Sequence, residues 1–554
     1  MDNPRVLLTI ALSFMILLIW QTWTKDYGPA PEQQPLVENT QGNKTGDTSQ
    51  PPVGNDMPSS EIVAKKTAEA QPATGPAALP AGQRIEVVTD TYRAVIDTRG
   101  GTLVEMDLLK YPESRKPDSP PFKLMERSDK QTFIFQSGLL TGKTEDEPNH
   151  HALFSADQTR YKLADGAETL EVPLHWTDEN GVQVTKIYRF HRGNYVVEVG
   201  FDIVNHSHSS WTARPYYQLQ RTPRKKKSRF LYTYTGGVIY SPEEKYEKIK
   251  FKTMEDENLS RDIKGGWAAM LQHYFLGALI PDRDISAHYY SRALGDKHYL
   301  IGFSDPVLNV APGEQVSNSV KLFAGPKLQH MMAKVAPGLE LTVDYGKLTL
   351  LAQPIYWLME KIHALVGNWG WSIIFLTMLI KGMFFKLSET SYRSMANMRK
   401  LAPRLKALKE RYGDDKKKLN QAMMEMYKKE KVNPLGGCLP VLVQIPVFIS
   451  LYWVLLESVE MRQAPFMLWL QDLSSADPYY ILPLLMGATM LIQQKLNPAP
   501  MDPIQAKVMM ILPVVFTVFF SFFPSGLVLY WVVNNTLSIT QQYIITKRVE
   551  RGAA

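Results

Sequence analysis

Residues 369–386, WGWSIIFLTMLIKGMFFK, limit what this chain can become: an apolar run long enough to cross most of a bilayer, with one lysine, Lys381, inside it. At a rise of 1.5 Å per residue, Lys381 lies about 18 Å along such a helix from Trp369. A lysine at the centre of a membrane helix costs roughly 2.5 to 3.5 kcal/mol, so it faces a wet cavity or a partner, or it snorkels to the nearer interface. Both readings stand on this helix alone, because Lys386 marks a polar end about one turn further on.

The 554 residues have a mean hydropathy of only −0.20, yet the long charge-poor apolar runs fall in roughly the first 25 and the last 200 residues. The chain therefore reads as a multi-domain membrane protein with a large water-exposed middle. Its single cysteine, Cys438, leaves that middle without a disulfide. The absence of a G-x-x-x-x-G-K-[ST] motif argues against a P-loop ATPase.

In chain order, residues 6–20 (VLLTIALSFMILLIW) end in Trp20 without the small residues of a cleavage site, so 1–27 is expected to be an uncleaved signal anchor. Residues 28–82 are rich in Pro, Gln, Thr, Ala and Gly and read as a flexible tether. From 83 to 345 the pattern changes to short alternating runs between turn signals, for example 93–98 before Gly100-Gly101 and 181–190 before Gly193-Asn194. This predicts a β-sandwich. Within it, His206-Ser207-His208 reads as a turn before it reads as a metal site, and the basic run 221–229 (RTPRKKKSR) reads as a solvated loop.

Residues 353–366 have the apolar spacing of an amphipathic helix lying in a membrane interface. Beyond it, 350–546 is expected to hold five spans, at about 369–386, 435–456, 479–494, 508–523 and 525–545. With the N-terminal anchor this makes six transmembrane α-helices. The loop 388–433 carries thirteen Lys and Arg against six Asp and Glu, which places it in the cytoplasm. Met398, Leu401, Leu405, Leu408 and Tyr412 repeat at spacings of three and four, and Leu419, Met423 and Met426 resume the period after Gly413-Asp414-Asp415. That predicts a helical hairpin, with Pro403 marking a start or kink in its first arm. The hairpin is either a topogenic signal or a docking arm for an acidic or RNA-rich partner such as a ribosome. With the basic tail 547–554, both termini are expected in the cytoplasm and the β domain outside it.

Polar residues recur inside the spans: Thr377 and Lys381 on one face, Gln444, Gln493, Gln494, Thr517, Ser521, and Tyr530, Asn534 and Gln541 near one face of the last span. Lone amides can glue helices together. A lysine with no intramembrane carboxylate nearby points instead to a hydrated concavity open to the cytoplasm.

The segments NPLGGCLPVLVQIPVF (433–448), SVEMRQAPF (458–466), DPYYILPLLMGATM (477–490) and FPSGLVLYWVVNN (523–535) resemble the signature stretches of the YidC-type membrane protein insertases, and 93–112 resembles the start of their periplasmic domain. The resemblance implies a bacterial inner-membrane protein with a periplasmic all-β super-sandwich and five core helices around a groove open to cytoplasm and lipid. It also implies groove residues Lys381, Thr377, Gln444, Phe448, Tyr530, Trp531 and Asn534. No catalytic residue, metal or cofactor is expected. The implied partners are nascent membrane proteins, the Sec translocon, the ribosome through the basic hairpin, and the lipid bilayer, with no specific nucleic-acid sequence. Many family members carry arginine where Lys381 stands, which keeps the charge but not the guanidinium fork. Lys386 stands where the family often has proline. A secondary transporter with a midplane polar site is the alternative, and an inverted repeat that would favour it is not seen. A membrane-anchored sugar-modifying enzyme is a third class, for which the sequence assembles no catalytic constellation.

Overall fold

The computed structural model describes residues 82–142, 147–224, 233–413, 415–430, 439–497 and 503–551. The N-terminal anchor expected at 1–27, nearly all of the tether at 28–82, and Cys438 lie outside these residues.

Arg84 to Pro326 is almost wholly β, in one sheet of eleven strands and a second of nine. The alternation in the sequence decides which face of each strand is core. In Val182–His191, side chains 182, 184, 186, 188 and 190 are buried, while those between them stay wholly or partly exposed. This strand turns at Gly193, with φ +66°, into Val196–Asn205, which pairs on its other edge with Gln315–Pro326. Gly100 adopts φ +67° in the turn between Tyr92–Asp97 and Thr102–Pro112. A Cβ there would lie 2.2 Å from the carbonyl oxygen of His150, so only glycine fits.

Polar groups also join the two sheets. Lys186, fully buried, donates to the carbonyls of Gly100 at 2.8 Å and Ser137 at 3.1 Å. Tyr92 donates in the opposite sense to Ala324 O at 2.6 Å. Such satisfied groups fix how one sheet sits on the other, a matter apolar packing leaves looser. Asp305 is less well provided for. Its Oδ2 accepts from Asn318 at 3.0 Å, while its buried Oδ1 has no partner among the described residues. Burial pushes its carboxyl pKa up to about 6; the Asn318 amide opposes the shift and Asp282 adds to it.

The basic run expected to be a loop starts inside the fold. Arg221 ends the strand Trp211–Arg221, is fully buried, donates to Leu271 O at 3.2 Å and to Gln272, and lies 4.6 Å from the centre of the Phe133 ring. A guanidinium can enter the sandwich because acceptors and an aromatic face meet it there. Residues 225–232 of the run and its surroundings lie outside the described residues. His206-Ser207-His208 forms a turn organised by Asn205, whose side chain accepts from the Ser207 amide and hydroxyl.

The helical part comprises α1 (Thr349–Val366), α2 (Trp369–Met383), α3 (Phe385–Tyr412), α4 (Lys416–Lys429), α5 (Leu439–Glu457), α6 (Ile481–Leu496), α7 (Pro503–Phe520) and α8 (Ser525–Glu550). The run 369–386 is not one helix: the chain bends by 68° between α2 and α3. α3 then continues through Pro403, so the arm starts well before that proline. α3 and α4 pack through Leu401, Leu405 and Met423, flanked by Leu419 and Met426, the three-four seam of the sequence. Among the described residues no single helix is long and apolar enough to cross a membrane by itself; the bent pair passes that test together. Large apolar side chains nevertheless stay exposed along α2, α6 and α7, among them Met378, Leu484, Ile511 and Val518. Contiguous exposed apolar surface of this extent belongs against lipid or a partner.

The β domain and helices meet at the end of α5. Lys327, which follows the strand Gln315–Pro326, donates to Glu457 at 3.4 Å, with side chains 2% and 5% exposed. The His273 ring donates to Leu456 O at 2.8 Å. Arg462 donates to Pro112 O at 2.5 Å and lies 5.6 Å from the ring centres of Phe122 and Phe275; Gln463 donates to the same carbonyl at 3.0 Å. Glu457 sits at the negative end of a helix dipole, so Lys327 offsets two unfavourable terms, burial and dipole.

Two predictions follow from these buried charges. The Asp305 pKa is higher folded (about 6) than at the ordinary value (3.8), so the folded state holds this proton more tightly. Its stabilising contribution is complete below about pH 4 and is lost as pH rises through about 6, a change of about 3 kcal/mol at most. The β-domain unfolding midpoint should therefore gain from this group on acidification, and Asp305→Asn should flatten that gain; an identical pH profile in the variant refutes the assignment. Separately, Lys327→Met should lower the thermal midpoint of the purified protein, costing about 3 to 5 kcal/mol through the stranded Glu457 charge. Lys327→Met with Glu457→Leu should recover most of it, and a double variant that loses the sum of both single losses would show that the pair is not coupled.

Candidate functional site

α2 is set in place at its first turn. The Asn368 side chain accepts from the Trp371 amide at 3.1 Å and donates to the carbonyls of Pro465 at 3.1 Å and Phe466 at 3.2 Å. Gly370 receives the Phe466 ring where a Cβ would stand 2.1 Å from it. This fixes the rotation of α2, and Gly370, Ile373, Thr377 and Lys381 become its buried stripe against α8.

Lys381 is 9% exposed and turned into the helical bundle, where its Nζ donates to Ser538 Oγ at 2.7 Å. The Ser538 hydroxyl in turn donates to the backbone carbonyl of Asn534, also at 2.7 Å. Among the described residues no carboxylate pairs with Lys381. Of its three ammonium donors, one is used by Ser538. The Thr377 hydroxyl donates back to Ile373 O at 2.6 Å, within its own helix.

Gln444 of α5 donates to Ser388 of α3 at 3.3 Å, and Gln541 of α8 donates to Phe385 O, just past the bend, at 3.2 Å. Phe385 is the first residue of α3, so this amide ties the start of that helix to α8. Phe448 stacks on Tyr530, with ring centres 5.7 Å apart, and meets Trp531 edge-on at 4.9 Å.

The seven expected groove residues thus divide into groups. Lys381 and Asn534 are joined through Ser538; Phe448, Tyr530 and Trp531 form an aromatic cluster; Gln444 joins the base of α3 instead of Lys381; and Thr377 is satisfied alone. The clusters lie at different levels. Tyr530 precedes Ser538 by eight residues, about 12 Å along α8. The aromatic cluster is nearer the end where Ser525 and Gly526 bind the carbonyls of Ser475 and Leu473, the side on which the β domain rests. Sequence reasoning missed Ser538 and Ser388. Ser538 continues the four-residue step from Tyr530 to Asn534, whereas the face read from the sequence went on to Gln541. Asn535 and Gln542 serve the neighbouring face, bonding Thr489 at 3.3 Å and Asn497 at 2.9 Å.

The chain matches two families in succession: residues 84–358 match the YidC periplasmic domain, and residues 361–552 match the 60Kd inner membrane protein family. A membrane protein insertase YidC of Methylococcus capsulatus is 52% identical over 560 residues, covering 100% of both chains. That of Thioalkalivibrio sulfidiphilus is 50% identical over 563 residues, covering 100% of this chain and 99% of its own. A crystal structure described as an active YidC insertase with the first transmembrane domain resolved aligns with a TM-score of 0.36 and 19% identity, over 84% of this chain and 95% of that one. The two family matches and the full-length relatives identify an inner-membrane insertase, not an enzyme and not a transporter, whose β domain is periplasmic and whose substrates are nascent membrane proteins: the chain belongs to the YidC family of membrane protein insertases.

Proposed function

We propose that nascent transmembrane segments enter this insertase through a hydrated groove between α2, α5 and α8, open to the cytoplasm and to lipid, and that Lys381 is its first polar contact. The observation carrying this reading is a buried ammonium held by one serine hydroxyl and without a carboxylate among the described residues. A client with a short acidic flank faces a barrier because the flank must cross hydrocarbon. Water around Lys381 shortens the dry path, and the two ammonium donors not used by Ser538 attract the flank's carboxylates. Deeper in, Phe448, Tyr530 and Trp531 offer the client's apolar side chains a rigid aromatic surface and bound the wet region from the periplasmic side. The client then leaves sideways into lipid, driven by burial of its own apolar surface.

The same reading gives six spans, with the N-terminal anchor as the first and both termini and the α3–α4 hairpin in the cytoplasm. It has the protein working alone or beside the Sec translocon. The hairpin's seam is internal, so its Lys and Arg side chains face outward, suited to the phosphate-rich surface of a ribosome.

Reconstituted in liposomes free of Sec, the protein should insert a small single-span client. Lys381→Arg should preserve that activity. Lys381→Glu should reduce it by about tenfold or more, equivalent to about 1.4 kcal/mol, and most for clients with acidic flanks. Normal insertion of every client by Lys381→Leu would refute the electrostatic role. For the hairpin, replacing residues 401–426 by a short flexible linker should leave the spans in place and lower both insertion and co-sedimentation with ribosomes. Unchanged co-sedimentation would reduce the hairpin to a topological signal.

A further inference from the structure

Away from the helices, the eleven-stranded sheet of the β domain borders a cavity of about 340 Å³. Its lining includes Arg99 and Thr102 from the turn around Gly100, Arg127, Gln136 and Gln220 from three other strands, and His298. Among the described residues no carboxylate lines it. The nearby Asp97 spends its Oδ1 on the backbone amide of Arg99, at 2.9 Å, and its Oδ2 stands 3.8 Å from Arg127, beyond hydrogen-bond distance. The Nη2 atom of Arg99 is buried with no hydrogen-bond partner among the described residues. Two guanidinium groups therefore border one cavity: Arg99 brings a buried unpaired donor, which is costly to leave so, and Arg127, 40% exposed and in ion-pair range of Asp97, stands beside it.

The electrostatics agree with the geometry. Burial lowers the Arg127 pKa, Asp97 opposes this, and the neighbouring Arg99 and Arg84 lower it further, as guanidinium groups crowded together do. Besides these arginines the lining holds Thr102, Thr132, Gln136, Gln220, three histidines (His150, His151 and His298) and the apolar Ile134. Gln136 accepts from Gln218 at 3.0 Å, and Gln218 in turn accepts from Tyr290 at 2.9 Å. That chain fixes the Gln136 amide and leaves its NH2 side uncommitted among the described residues. The fixed Gln136 amide together with the Thr102 hydroxyl suits the hydroxyl groups of a ligand. The volume lies at the small end of the range for ligand pockets, roughly 300 to 1,000 Å³, which fits a single ring and exceeds the needs of one oxyanion.

We propose that this cavity binds a monosaccharide-sized polyol bearing one phosphate or carboxylate group, with the anion between Arg99 and Arg127 and the hydroxyls on Thr102, Gln136 and Gln220. A planar or tetrahedral oxyanion takes paired hydrogen bonds from a guanidinium fork, which a lysine could not offer in the same geometry. The site is independent of the insertion groove.

Calorimetric titration of the purified full-length protein in detergent tests this with four probes: glucose 6-phosphate, galacturonate, inorganic phosphate and glucose. Saturable binding is expected for at least one of the two charged sugars, and the better of them shows which anion the site prefers. Neutral glucose and bare phosphate should each bind about tenfold more weakly than that sugar, or worse. Arg99→Gln and Arg127→Gln should each weaken its binding by about tenfold, while Lys130→Gln, a change at an exposed lysine outside the cavity, should not. Arg127 is 40% exposed, so its variant should keep the unliganded unfolding midpoint and remains decisive if Arg99→Gln fails to fold. No saturable binding of either charged sugar at millimolar concentration, equal binding of glucose, equal binding of bare phosphate, or unchanged affinity in Arg127→Gln would each overturn the proposal.

Discussion

Glu457 and Lys327 meet where water is nearly absent, one at the end of a helix that packs against lipid-facing neighbours and the other at the end of a strand in a water-exposed sandwich. Each needs the other, because a lone buried charge is far costlier than a paired one. The rest of the joint follows from that contact. With the end of α5 held, the loop that follows can present Arg462 to Pro112 O and the rings of Phe122 and Phe275. The same loop returns to receive Asn368 through the carbonyls of Pro465 and Phe466. The rotation of α2, and hence the direction of Lys381, is therefore tied through one loop to the strands of the β domain.

The two clusters between the helices differ in polarity. Lys381, Ser538, Gln444 and Gln541 lie toward the bend and the base of the hairpin, where an exposed polar group can be hydrated. Phe448, Tyr530 and Trp531 lie toward the β domain and pack on one another. A gradient of polarity along α8 has a direction, and on the proposed path a client segment moving along it would exchange water for aromatic contact step by step instead of crossing one abrupt boundary. α6 has 16 residues, so on that proposed path a locally thinner hydrophobic layer would shorten the distance a polar flank must travel.

How much of this was legible in the sequence depends on whether the deciding partner lay nearby in the chain. The strands around Gly193 were legible because alternation and turn residues are local, and so was the three-four seam that brings Leu401 and Leu405 onto Met423. The apolar character of α2 and the oddity of Lys381 were equally visible. The partner of Lys381 was not: Ser538 is a small residue 157 positions away that carries no signal beyond its helical step. Nor was the bend between α2 and α3, since the run 369–386 contains no proline and Gly382, beside the break, is its one local signal. Arg221 was misread for the same reason. Its composition belongs to a basic loop, and only the folded sandwich supplies the carbonyl, the amide and the Phe133 ring that admit it. The Lys327–Glu457 pair, 130 residues apart, likewise becomes visible only once both halves are in place.

The base of the hairpin has a mechanical consequence. Lys400 donates to Val549 O at 2.7 Å, and Ala396 packs with Ile545 and Val549, so α8 braces α3 along its first half. What projects freely is residues 401–412, about 18 Å of rod, out of about 42 Å for the whole helix. The bending stiffness of a cantilever rises with the inverse cube of its free length, so this brace makes the arm roughly tenfold stiffer than one clamped only at Phe385. A load applied at the tip, where the chain turns into α4, is then transmitted into the last turns of α8 instead of being absorbed as flexure. A heavy object seated on the hairpin would be mechanically coupled to the helix that carries Ser538.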